Sequence, residues 1–79
     1  MIEKLQRFLK NKHKFDRKLQ MYEVLEILDN SYKTFRDAVN SDNKEDARNA
    51  LSNLLVEIIK YCNTKDIEIQ KILEEDFNL

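Results

Sequence analysis

The sequence predicts an all-α fold: a small helical bundle built on an antiparallel helical hairpin, with short flanking N- and C-terminal helices. Three observations predict it. None of the 79 residues is glycine or proline, so the positive-φ turns and forced breaks that serve tight strand corners are poorly supplied. Apolar residues recur at steps of three and four along most of the chain, which is the period of an amphipathic helix. The composition, 42% hydrophobic and 37% charged, suits helices that each bury one stripe and expose the rest.

Ile2, Leu5, Phe8 and Leu9 mark a first helix over about residues 2–11. The run from Lys10 to Lys18 then fills the stripe with cations, which places a break near residues 11–15 and leaves Asp16 as a cap for a second helix over about 16–40. Leu19, Tyr22, Leu25, Leu28, Tyr32, Phe35 and Val39 define one face of that helix, widened by Val24, Ile27 and Ala38. Asn40-Ser41-Asp42-Asn43 ends it, because short polar side chains satisfy their own backbone and favour turns. Asp42 followed by Glu45 resembles a capping box and opens a third helix over about 43–62.

The third helix carries the broadest apolar surface, from Ala47 through Leu54, Leu55 and Ile58 to Cys62, and is expected to be the central, most buried element. Asn63-Thr64 makes a short break, with Thr64 as cap for a last helix over about 65–77 whose stripe is Ile69, Ile72, Leu73 and Phe77. The short polar link between the second and third helices makes them antiparallel neighbours. No linker or repeat divides the chain, so residues 1–79 are read as one domain.

A chain of this length buries only roughly 60–65% of its unfolded surface and needs reinforcement. One cysteine, Cys62, excludes a disulfide framework, and there is no cluster of cysteine and histidine for a structural zinc. Tight helix packing or self-association remains, which makes a homodimer the expected state. No run of apolar residues is long enough to span a membrane, and Met1-Ile2-Glu3-Lys4 leads into no signal-peptide-like segment, so a cytoplasmic location is expected.

Charge is uneven. Residues 1–20 hold seven Lys or Arg against two acids, whereas residues 21–79 hold seven against thirteen. Lys10, Lys12, Lys14, Arg17 and Lys18 alternate with Phe8, Phe15 and Tyr22, aromatics seven apart that one helix would place on a common face. Cations for phosphates and rings for stacking give the alternative reading, association with nucleic acid through residues 4–18. The net charge of −1 weighs against it, and so do Asp66, Glu68, Glu74, Glu75 and Asp76, which would repel phosphates from a groove-binding last helix.

Glu23 and Glu26 lie on one side of a helix at a spacing of three, an arrangement that can hold Mg²⁺ against a phosphoanhydride. With the hairpin and the tail Thr64–Leu73 they resemble the all-α nucleotide pyrophosphohydrolases of the MazG kind. That family pairs E-x-x-E on one helix with E-x-x-D on the next. The facing stretch here reads Arg48-Asn49-Ala50-Leu51-Ser52-Asn53, and Glu45, Asp46 and Glu57 do not reproduce the spacing, so the second half of the motif is missing. No catalytic residue, metal or cofactor is assigned.

His13, between two lysines, has no nucleophile or carboxylate constellation around it in sequence, and Cys62 reads as a small buried hydrophobe. The leading reading is therefore a non-enzymatic protein–protein interaction module, a regulator, inhibitor or adaptor that works through amphipathic helix faces and self-associates. Tyr32, Phe35, Leu55, Ile59 and Tyr61 are its candidate interface residues.

Overall fold

The computed structural model describes residues 1–78, which form four helices: α1 (Ile2–Lys12), α2 (Met21–Asn40), α3 (Lys44–Thr64) and α4 (Ile69–Phe77). No strand occurs among the described residues, and the architecture is a small helical bundle with a hairpin. The chain folds as two compact units. One joins Met1–Arg17 to the chain from Ile59 onward, and the other is Lys18–Ile58.

In the second unit, α2 and the first part of α3 form the hairpin. Ala38 and Ala50 are buried, and Val24, Ile27, Ser31, Ala47 and Leu54 are half-buried. Alanine and serine along this seam leave little side-chain volume to bury. The turn between the helices is a Schellman motif: the Asn43 N–H donates to the Ala38 carbonyl at 3.2 Å and the Asp42 N–H to the Val39 carbonyl at 3.1 Å. Asp42 takes the left-handed conformation (φ 55°) that glycine takes in most such motifs. The cap therefore sits one residue later than the expected Asp42 box, with the Asp46 N–H donating to Asn43 Oδ1 at 3.0 Å.

In the first unit α1 packs on α4, and Leu9, Ile59 and Cys62 are buried. A second Schellman motif ends α3. The Ile67 N–H donates to the Cys62 carbonyl at 2.9 Å, and Asp66 is left-handed (φ 56°). Gln6 of α1 then fixes the entry to α4. Its Nε2 donates to the Ile67 carbonyl at 2.6 Å, and its Oε1 accepts from the Ile69 N–H at 3.1 Å. Asn63 Nδ2 donates to the Gln6 carbonyl at 3.1 Å, and the Glu3 N–H to Gln70 Oε1 at 3.2 Å.

Two helix starts differ from expectation. The second helix begins at Met21, not at Asp16: Asp16 Oδ2 instead lies 2.7 Å from His13 Nδ1, and the Asp16 N–H closes a turn onto the His13 carbonyl. Gln20 is extended, and its N–H donates to Glu23 Oε1 at 3.0 Å, half of a capping box. Residues 1–40 thus hold two helices. The last helix begins at Ile69, not at 65, because α3 runs on through Thr64, whose hydroxyl donates to the Lys60 carbonyl instead of capping.

Candidate interaction surface

The hairpin unit carries an apolar surface that it does not cover. Along α2, Met21, Leu25, Leu28, Tyr32, Phe35 and Val39 are separated by alternating steps of four and three, the heptad spacing that lets one helix insert its side chains between those of another. On α3, Leu51, Leu55 and Ile58 form a shorter stripe. Seven of these residues, all but Leu28 and Phe35, are between 39% and 59% exposed.

Helix geometry places both stripes on one side of the hairpin. At about 100° per residue, the α2 stripe lies roughly 90° around the axis from the half-buried seam of Val24, Ile27, Ser31 and Ala38, and the α3 stripe lies roughly 75° from its own seam of Ala47, Ala50 and Leu54. Both rotations run in the direction of increasing residue number. For two antiparallel right-handed helices packed seam to seam, equal rotations in that sense turn both stripes toward the same side. The result is one two-helix apolar face instead of two separate flanks.

Of the residues expected at an interface, Tyr32 (52% exposed) and Leu55 (48%) stand on this face, with Phe35 half-buried at its edge. Ile59 is only 7% exposed, in the other unit, and so offers no open surface; Tyr61, also in that unit, is half-buried. Met21 was on no stripe read from the sequence, and Leu51 and Ile58 were read as apolar surface of the third helix but not as interface. The alternating 4-3 spacing from Met21 to Val39 is the signal that finds the first of them.

The basic segment has no common helix. Lys10 and Lys12 end α1, with Lys10 Nζ 3.8 Å from an Asp66 carboxylate oxygen; Lys14 stands over the Phe15 ring, 5.0 Å from its centre; Arg17 and Lys18 lie in the non-helical stretch before α2. Phe8, Phe15 and Tyr22 accordingly do not share one helix face, since Phe15 lies in the turn, where it is 90% exposed. The shared-face expectation fails because the helix stops at Lys12.

Glu23 and Glu26 share the first turns of α2, and among the described residues no group of three His, Cys, Asp or Glu side chains stands together for a metal ion. A groove in the terminal unit is of mixed character, lined by Arg7, Lys10, Asp66 and Lys71 with Cys62 and Ile67 beside them. Burial pushes the Cys62 thiol pKa above its ordinary value, which disfavours the nucleophilic thiolate. No helix among the described residues is long and apolar enough to cross a membrane. No protein-family model, curated protein or solved structure matches this chain.

Proposed function

We propose that this protein is a non-enzymatic protein–protein interaction module, a regulator, inhibitor or adaptor that works in the cytoplasm by docking the apolar face of its hairpin. The observation that carries the reading is the exposure of Met21, Leu25, Tyr32, Val39, Leu51, Leu55 and Ile58 on one face, while only Ala38 and Ala50 are buried in that unit. Their exposed area is on the order of 600 Å², if a large apolar residue carries roughly 200 Å². That is the upper end of what a monomer's largest apolar patch reaches, a size at which such patches are often functional.

Rigid helices suit this role. With no glycine there is no phosphate-cradling loop, and binding falls to side chains on fixed backbones, which lose little entropy on docking. The test is the double substitution Leu25→Glu and Leu55→Glu. Circular dichroism is expected to be unchanged, because both residues are exposed, while complexes seen by light scattering or by affinity capture from the native host disappear. A wild-type chain that is monomeric and captures no protein contradicts the reading. So does a complex indifferent to the double substitution.

The alternative, nucleic-acid association through Lys10, Lys12, Lys14, Arg17 and Lys18, has in its favour the exposed Phe15 beside these cations. Retention of the chain on single-stranded DNA or RNA at low salt, lost on neutralising the five cations, would favour it over the docking face.

A further inference from the structure

We infer that the occupant of the hairpin face is a second copy of this chain, laid on it with α2 antiparallel to α2 across a two-fold axis. The inference rests on the interaction reading above and names its partner. Two features of the face select a copy of itself over an unrelated helix.

The first is area. Two faces of on the order of 600 Å² remove together roughly 1,200 Å² from water, which reaches the range of specific stable interfaces. A dimer of two-helix hairpins is also a complete four-helix bundle, in which every helix buries a stripe against two neighbours.

The second is shape. Turned antiparallel about Asn30, the α2 stripe fits its own image in six layers: Met21 meets Val39 of the second copy, Leu25 meets its Phe35, Leu28 meets its Tyr32, and each layer recurs by symmetry. Every aromatic ring then faces a leucine, so large and small side chains alternate as close packing requires. A parallel copy would set Tyr32 on Tyr32 and Phe35 on Phe35. The three-residue turn at 41–43 sets Asn30 level with about residue 54 of α3, so the same axis brings Leu51 opposite the second copy's Ile58.

The test uses Cys62→Ser as background and two single-cysteine chains, Met21→Cys and Val39→Cys, one carrying a mass tag. On mild oxidation of an equal mixture, the mixed disulfide is expected to exceed either symmetric one at least about tenfold, while Leu25→Glu in both chains weakens association by roughly 30-fold, the effect of a hot-spot residue. Predominance of the symmetric Met21→Cys disulfide overturns the antiparallel arrangement. A wild-type chain that stays monomeric, but captures another protein in a manner lost with Leu25→Glu, overturns the second copy while leaving the docking reading intact. A monomer that captures nothing overturns both.

Discussion

The Ile69 N–H, the first donor of α4, gives its hydrogen bond to the side-chain Oε1 of Gln6, sixty-three residues earlier in the chain, at 3.1 Å. The first N–H groups of any helix lack partners within the helix, and Glu68, in the N-cap position, supplies no side-chain bond. Gln6 does so from α1, and its amide nitrogen binds the Ile67 carbonyl two residues before.

Truncating Gln6 leaves a part-buried donor and acceptor unpaired. Gln6→Ala is expected to destabilise the chain by about 1–3 kcal/mol, which lowers the melting temperature by about 4–8 °C for each kcal/mol. Gln6→Glu, which keeps the acceptor for Ile69 but sets a carboxylate oxygen against the Ile67 carbonyl, should destabilise at least as much. Thermal melts followed by circular dichroism measure both, and an unchanged melt for Gln6→Ala would show that water replaces the amide without cost.

Asp42 and Asp66 hold left-handed conformations at the ends of α2 and α3. A side chain there costs roughly 1–2 kcal/mol, reduced for Asp by its local hydrogen bonding, and glycine removes the cost while gaining entropy in the unfolded chain. Asp42→Gly is expected to stabilise by about 0.5–1 kcal/mol, and Asp42→Val to destabilise by more than that. Asp66→Gly should behave alike, since the Lys10 contact it loses is long and exposed. Chemical denaturation midpoints of the four chains decide it.

The thiol of Cys62 has its pKa raised by burial. A group whose folded pKa lies above its unfolded one adds stability that is complete below the unfolded value, about 8.5 for a thiol, and is lost as pH rises through the folded one. Wild-type stability should therefore decline from about pH 8.5 upward relative to Cys62→Ala. At pH 8 the folded thiol should react with a thiol-specific reagent more slowly than the urea-unfolded chain does.

Four helices were legible in the sequence because their stripes are long and regular. Their starts were less so, and the reason is physical. Asp16 and Thr64 are both good capping residues, but Asp16 is taken by His13 and Thr64 by the Lys60 carbonyl, and such competition is invisible in a one-dimensional pattern. The role of Gln6 was equally hidden, since glutamine has no special status in α1 until α4 is folded beside it. Tyr32, Phe35 and Leu55 could be picked out as apolar positions, but periodicity does not say which of two adjacent flanks is covered. Ile59 shows the consequence: it lies on the apolar surface of α3 as Leu55 does, yet it is buried where Leu55 is open. The left-handed turns explain how a chain without glycine closes two helix ends so sharply, with aspartate taking glycine's place.

The proposed cover of the hairpin face by a second copy of the chain is read most directly from mass in solution. Sedimentation equilibrium over concentrations on the order of 1–100 μM reads this without reference to side chains, since an association of micromolar strength is populated there. A mass twice that of the 9.5 kDa chain is expected at the upper concentrations, with a return to the single-chain mass for Leu25→Glu with Leu55→Glu. A wild-type mass that stays at one chain throughout would contradict it.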